Sequence, residues 1–125
     1  KARVSQIKQV SKGGFIGYGC SYQAKRNMVI AVLPIGYSDG YDRKLGNQGY
    51  VLIHGQRVAV VGRTCMNLMM IDVTDIKNVK LEDEAVLLGK QGSEEISAEY
   101  LAGLIGTINY EVVTRINWQI PRVIV

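Results

Sequence analysis

Residues 50–63, YVLIHGQRVAVVGR, place two apolar, β-branched runs on either side of a Gly55–Gln56 turn. β-Branched residues favour strands, and a short glycine turn between two such runs favours a hairpin. The stretch therefore predicts two antiparallel strands joined at Gly55–Gln56. We expect His54, beside this turn, to be exposed and to have no catalytic role.

Strand-like patterns continue on both sides of this hairpin, separated by turns and by a polar loop over residues 38–49. One helix is predicted over residues 98–106, because Ser97 can cap it and Gly106 can end it. About eight strands and one short helix predict a mainly β domain, either a partly closed barrel or two packed sheets. The other predicted strands cover residues 2–10, 28–37, 69–76 and 83–89, and one or two more lie in residues 108–125, with Pro121 near an edge.

Composition limits the function classes. With 125 residues, of which 47% are hydrophobic, the chain fits one globular domain spanning residues 1–125. The net charge of +4 has no accompanying nucleic-acid-binding motif, so we expect no nucleic-acid partner. Cys20, Cys65 and the single histidine do not match metal-ligand spacing, so we expect no metal site. Two free thiols indicate a reducing, cytoplasmic setting. The chain opens at Lys1, so we expect a piece of a longer protein.

Three tyrosines stand at the ends of predicted elements. Tyr18 lies between two glycines in FIGYGCSY (residues 15–22), Tyr37 follows Gly36, and Tyr110 precedes a run of β-branched residues. Glycine neighbours allow a ligand or another backbone to come close. Two interpretations stay open at this point: ordinary packing residues at the rim of a β domain, or parts of a site.

Five stretches together resemble one family. In chain order they are IGYGCSY (16–22), AVLPIGYSDGY (31–41), VVGRTCMN (60–67), MMIDVTD (69–75) and INYEVVTRINWQIPRV (108–123). They resemble the C-terminal domain of the alanine racemases, which are pyridoxal-phosphate enzymes that interconvert L- and D-amino acids. The resemblance implies a second, N-terminal (β/α)8 barrel, absent from this chain, whose lysine carries the pyridoxal 5'-phosphate. It also implies a homodimer in which this domain completes the partner subunit's site for a small amino acid.

The resemblance assigns roles residue by residue. Tyr18 matches the tyrosine that exchanges a proton at the substrate Cα, opposite the cofactor lysine, although Gly17 stands where the family usually has serine. Tyr110 matches the tyrosine that contacts the cofactor phosphate, and the backbone of Met66 matches a contact to the substrate carboxylate. The residues that match the entrance corridor are Tyr37, Arg43, Arg63 and Ile108.

One position departs from the family pattern. Asn67 stands where the family usually has aspartate, so an amide that donates and accepts replaces a carboxylate that only accepts. This resembles the serine racemases of vancomycin-resistance systems and motivates the hypothesis that the parent enzyme handles serine as well as alanine. Such a parent would place this domain in the cytoplasm, either free or as the cytoplasmic part of a membrane-anchored racemase. The alternative hypothesis is a non-catalytic β module that binds nucleic acid or peptide.

Overall fold

The computed structural model describes all residues, 1–125, as a mainly β domain with two short helices. This confirms the predicted fold class. The strands are β1 (Ala2–Arg3), β2 (Gln6–Val10), β3 (Phe15–Ile16), β4 (Tyr22–Gln23), β5 (Met28–Leu33), β6 (Tyr50–Ile53), β7 (Gln56–Val61), β8 (Met69–Asp72), β9 (Glu84–Val86), β10 (Gly89–Gln91) and β11 (Glu94–Ile96). The helices are α1 (Ala98–Ile105) and α2 (Asn109–Thr114), and single 3-10 turns cover Tyr18–Cys20, Tyr37–Asp39 and Arg43–Leu45.

Seven strands form one antiparallel sheet in the order β1-β9-β6-β7-β8-β5-β2. The hairpin of residues 50–63 lies at its centre, with Tyr50 opposite Ala59 and Ile53 opposite Gln56. The predicted Gly55–Gln56 turn was wrong by one residue, because the turn is His54–Gly55. Both turn residues are left-handed (φ 52° and 71°), the geometry that matches the twist of a two-residue hairpin.

The strand β5 packs between β2 and β8 and ends before Pro34. It was predicted to run to residue 37, but proline lacks the amide hydrogen that the ladder needs, so the chain leaves the sheet there. One face of β5 contributes Ala31 and Leu33 to the main core. The other face contributes Met28 and Ile30 to a small second core.

The second core lies beneath the β3–β4 hairpin. Ile16 and Ala24, which flank this hairpin, pack with Met28, Ile30 and Val61. Burial of these side chains anchors a hairpin with only two paired residues on each strand. The tip of the hairpin, residues 17–21, carries Tyr18.

Helix α1 follows the sequence prediction. The Ser97 side chain accepts a hydrogen bond from the Tyr100 amide, and Gly106 ends the helix in the left-handed conformation (φ 75°). Leu101, Ala102 and Ile105 bury their side chains in the main core. The predicted helix is therefore confirmed at both ends.

Helix α2 corrects the prediction for the last segment, which was expected to form strands. Val112 is buried in the main core beside α1, and Glu111 in the first turn accepts a hydrogen bond from the Thr107 hydroxyl. The β-branched residues Val113 and Thr114 favour strands, but burial of the single Val112 side chain and the acidic first turn favour a helix here. After Thr114 the chain forms turns and no strand, including around Pro121. No helix of the chain combines the length and the apolar character needed to cross a membrane.

His54 joins two neighbouring turns. Its Nε2 lies 2.9 Å from Oδ2 of Asp83, and the Lys80 amide donates to the same oxygen over 2.9 Å. The Lys80 amide first, and His54 after it, hold the pKa of Asp83 below its usual range. His54 lies in a hairpin turn and pairs with a carboxylate of a neighbouring turn. These contacts are those of a structural residue.

We expect Asp83→Asn to lower the free energy of unfolding by about 1 kcal/mol at pH 7, because two donors lose a charged acceptor. Since folding lowers the pKa of Asp83, its contribution is present above about pH 4 and is lost as the pH falls through the folded-state value. Urea unfolding of the variant and the parent should therefore converge at low pH. Glu95→Gln, in an exposed pair 3.7 Å from Lys90, is the control and should change stability by less than about 0.5 kcal/mol. A constant difference at every pH would contradict this account.

Candidate functional site

The residues predicted to form a site are exposed, although most are large and partly apolar. The exposed fractions are 69% for Tyr18, 46% for Tyr37, 55% for Met66, 59% for Ile108 and 71% for Tyr110. Side chains of this size contribute most to stability when buried. Packing within this chain therefore does not explain why these positions carry large, partly apolar side chains.

Not all tyrosines are presented in this way. The Tyr41 ring is buried between the sheet and the helices, its hydroxyl has no hydrogen-bond partner, and burial raises the pKa of this phenol. The rings of Tyr50 and Tyr100 pack in a tilted arrangement, with their centroids 4.9 Å apart. These three tyrosines therefore pack within the domain. Tyr18, Tyr37 and Tyr110 do not, so the interpretation as packing residues fails for them.

The loops that carry the exposed residues are held together by close contacts between glycine backbones. A Cβ atom added to Gly17 would lie 2.9 Å from Cα of Gly62, and one added to Gly46 would lie 2.8 Å from the carbonyl oxygen of Gly62. Three loops therefore meet at Gly62, which immediately follows β7. We call this arrangement of Gly17, Gly46 and Gly62 the glycine junction.

Tyr18 lies on a turn attached to this junction. Three residues around it have positive φ angles: Gly17 (85°), Gly19 (68°) and Cys20 (52°). The next residue, Ser21, accepts a hydrogen bond from the Arg63 amide at its Oγ over 2.8 Å. The Arg63 guanidinium lies against the turn, since a Cβ added to Gly19 would be 3.2 Å from Nη1. The structure thus brings Arg63 and the Tyr18 turn together.

Met66 and Asn67 are held against the Tyr37 turn. The Tyr37 amide donates to the Cys65 carbonyl and the Ser38 amide donates to the Met66 carbonyl, each over 3.0 Å. The Ser38 hydroxyl lies 2.7 Å from the same Met66 oxygen and 2.9 Å from Oδ1 of Asn67. The positions of Met66 and Asn67 are therefore fixed by the loop that carries Tyr37.

Tyr37 and Arg43 line the same open depression, of about 340 Å³, together with Gly40, Asp42 and Arg115. Arg115 pairs with Asp42 over 3.0 Å, while Arg43 forms no salt bridge. A free guanidinium beside a phenol can bind a carboxylate. Two of the predicted corridor residues are thus together, whereas Arg63 lies at the Tyr18 turn.

The helix α2 that carries Tyr110 is fastened to the Tyr37 loop at its C-terminal side. The Asn117 amide donates to the Asp39 carbonyl over 3.1 Å, and the Asn117 side chain donates to the Ser38 carbonyl over 3.0 Å. Ile108 and Tyr110 lie at the opposite, N-terminal end of the helix. The chain does not pair the Tyr110 phenol with Tyr18 through any hydrogen bond or ring contact.

Sequence reasoning missed the residues that hold these loops in place. In the sequence they are marked only as polar residues, which lie within two positions of a glycine or just after α2. These residues are Ser21, Ser38, Asn47, Arg115 and Asn117. No three His, Cys, Asp or Glu side chains are grouped so that they could hold a metal ion.

Comparison with known proteins gives these loops a context. The family described as "Alanine racemase, C-terminal domain" matches residues 1–124. The chain belongs to the alanine racemase C-terminal domain family. An alanine racemase of Carboxydothermus hydrogenoformans is 50% identical over 125 residues, which cover 100% of this chain and 34% of the relative. The domain thus spans about a third of the length of the curated relatives it matches.

Solved alanine racemases have the same fold over this region. The Bacillus anthracis enzyme with bound L-Ala-P matches with a TM-score of 0.91 and 43% identity, over 98% of this domain and 31% of that chain. The Bartonella henselae enzyme with covalently bound pyridoxal phosphate matches with a TM-score of 0.86 and 26% identity, over 97% of this domain and 33% of that chain. The family resemblance seen in the five sequence stretches is therefore confirmed.

Gly36 provides a direct test of how this racemase domain holds Met66 and Asn67. A Cβ added to Gly36 would lie 2.1 Å from the Cys65 carbonyl oxygen and 2.5 Å from that of Met66. Gly36→Ala should therefore lower the free energy of unfolding by at least about 2 kcal/mol, measured by urea titration.

Gly103→Ala is the matched control for this substitution. Gly103 lies inside α1, where an added Cβ meets nothing within 4 Å. The change should stabilise the domain by about 0.5–1 kcal/mol, because alanine favours a helix over glycine. Equal effects of the two substitutions would refute the close contact at Gly36.

Proposed function

We propose that this chain is the C-terminal domain of a pyridoxal-phosphate-dependent alanine racemase and that Tyr18 is one of its two proton-transfer residues. Tyr18 carries the proposal, because its phenol is 69% exposed on a turn that is fixed at both ends. A proton-transfer group needs this combination of a fixed position and access to a partner molecule.

Racemisation requires a proton to leave the substrate Cα from one face and another to return on the opposite face. Two groups must therefore flank the substrate, and the Tyr18 phenol supplies an oxygen for one side. Pyridoxal phosphate, when bound, supplies the conjugated ring that withdraws electrons from Cα. The proposal assigns the second group, a lysine, to the barrel domain outside this chain.

The residues of this chain are suited to contact a cofactor that is covalently attached to another domain. All eight lysines of the chain are exposed, so none would hold a covalently attached ring in a buried site. The exposed phenol of Tyr110 is instead suited to donate a hydrogen bond to a phosphate oxygen held by another domain. We therefore assign Tyr110 to the cofactor phosphate and leave attachment to the barrel.

The remaining residues have supporting roles in this proposal. The Met66 backbone binds the substrate carboxylate, and Ile108 narrows the entrance. Tyr37 and Arg43 line the depression through which an amino acid enters, and their charge and hydroxyl groups suit its carboxylate. Arg63, against the Tyr18 turn, adds positive charge near the reacting centre.

The site is incomplete within one chain, so the proposal includes two partners. One is the barrel domain of the same protein, and the other is a second subunit whose barrel receives Tyr18. The cytoplasm is the proposed compartment, since both cysteines are free thiols. The family assignment gives no support to the alternative of a nucleic-acid or peptide module.

Asn67 supports a second candidate activity, the racemisation of serine. Its Oδ1 faces the Ser38 hydroxyl at 2.9 Å, and its amide nitrogen donates to no other group of the chain. Two N–H donors beside the Met66 backbone suit a substrate hydroxyl, which an aspartate could only meet as an acceptor. We infer that the parent enzyme accepts serine alongside alanine.

Replacing Tyr18 tests the main proposal in the full-length protein. Tyr18→Phe keeps the ring and removes the proton-carrying oxygen, so racemisation of alanine should fall by at least about 100-fold. The absorbance of bound pyridoxal phosphate should stay at the parent level. Tyr22→Phe, four residues along the same hairpin, is the control and should racemise normally. Racemisation by Tyr18→Phe within a few-fold of the parent would exclude the assigned role.

Replacing Asn67 tests the serine activity. Asn67→Asp should lower the ratio of kcat/KM for serine to kcat/KM for alanine by about tenfold, because the carboxylate keeps an acceptor for the substrate hydroxyl but loses both N–H donors. Asn78→Asp changes an exposed amide in a distant turn and should leave the ratio unaltered. An unchanged ratio in Asn67→Asp would remove the basis for serine specificity.

A further inference from the structure

One asparagine side chain touches two of the loops that meet at the glycine junction. Asn47 lies just after the 3-10 turn Arg43–Leu45, with a left-handed backbone (φ 59°). Its Oδ1 accepts a hydrogen bond from the Gly62 amide over 2.6 Å, and its Nδ2 donates to the Ser21 carbonyl over 3.4 Å. The two ends of the amide thus bridge the loop after β7 and the Tyr18 turn.

Gly62 depends on Asn47 for its hydrogen bond. Gly62 is buried and lies one residue beyond the end of β7, so the strand ladder does not satisfy its amide. Buried amides are nearly always paired, and the geometry here leaves Asn47 as the partner. The position of Gly62 relative to the loop over residues 43–47 is therefore set by a side chain.

The Tyr18 turn is held at its two ends, and between them only the Arg63 guanidinium lies against Gly19. At its start Gly17 touches Gly62, and at its end Ser21 accepts from the Arg63 amide while its carbonyl accepts from Asn47. The left-handed residues between them give the turn little stiffness of its own. A shift of Gly62 and Arg63 would carry both ends, and with them Tyr18, in the same direction.

We propose that Asn47 is a positioning residue that sets the location of the Tyr18 phenol through Gly62 and Ser21. This inference rests on the proposed role of Tyr18 in proton transfer. Proton transfer requires heavy atoms within hydrogen-bond reach, and a displacement of about 1 Å can slow an enzyme reaction up to about 100-fold. Asn47 itself touches neither the substrate nor the cofactor in this role.

The test separates backbone effects from the loss of the amide in the full-length protein. Asn47→Gly keeps the left-handed backbone without strain and removes both hydrogen bonds. Asn47→Asp keeps an acceptor for the Gly62 amide and replaces the donor to Ser21 with a carboxylate oxygen. Asn78→Gly is the matched control, because Asn78 has the same φ of 59° in an exposed turn away from the junction.

Racemisation is measured from each enantiomer of alanine, with and without deuterium at Cα. Asn47→Gly should lower kcat about tenfold with KM within twofold of the parent, and it should raise the deuterium isotope effect for one enantiomer only. Tyr18→Phe identifies that enantiomer, because it should lose exchange of the Cα hydrogen with solvent for one enantiomer only, while the barrel lysine still exchanges the other. The kcat of Asn47→Asp should lie between those of Asn47→Gly and the parent. Asn78→Gly should have the kcat of the parent.

A second measurement needs no activity. Amide hydrogen exchange at Gly62 in the cofactor-free protein should be at least about tenfold faster in Asn47→Gly than in Asn78→Gly, because the amide loses its partner. Parent-like exchange at Gly62 would overturn the bridging contact.

The outcomes distinguish this inference from the proposed function. Unchanged isotope effects from both enantiomers, beside a lower kcat, would reduce Asn47 to a structural residue and overturn its positioning role. A parent-like isotope effect in Asn47→Gly beside an inactive Tyr18→Phe would overturn the positioning role alone. Normal racemisation by Tyr18→Phe would overturn the proposed function itself and this inference with it.

Discussion

The close approach of three glycine backbones at Gly62 is the constraint on which the site depends. Gly17 and Gly46 each come so near to Gly62 that an added Cβ would lie within 3 Å of its backbone. No other residue type allows this contact. It brings the tip of the β3–β4 hairpin, the end of β7 and the loop before β6 to one place. Tyr18 and Arg63 acquire their relative position from this contact.

The rest of the fold serves to support these loops. The seven-stranded sheet and α1 bury the main core, and the β3–β4 hairpin buries a smaller one, so that polar loops gather at the strand ends. Hydrogen bonds from Ser38 and Asn117 then extend the arrangement to Met66 and to α2. The result is a set of exposed side chains on loops that the rest of the domain holds in place. Such a surface can form part of a binding site when another domain covers it.

The sequence predicts the elements whose signals are local, and fails where tertiary contacts decide. The Ser97 cap and Gly106 mark α1 correctly, and β-branched runs mark the central hairpin. The strand propensity of Val113 and Thr114 conceals α2, because burial of Val112 against α1, which favours the helix, is a tertiary contact. Tyr18 and Tyr37 are visible from their glycine neighbours, whereas Tyr110 has none. Asn47 is not visible, because its role depends on distances between three loops that are far apart in the chain.

The central claim is that Tyr18 acts in the site of another subunit, and hybrid dimers test it most directly. Full-length Tyr18→Phe protein is mixed, after dissociation, with full-length protein that lacks the cofactor lysine of its barrel. Each parent alone should be inactive. Random pairing makes half of the dimers hybrid, each with one intact site, so about a quarter of the activity of the unmutated enzyme should return. An inactive mixture, with hybrid dimers demonstrated, would contradict the account.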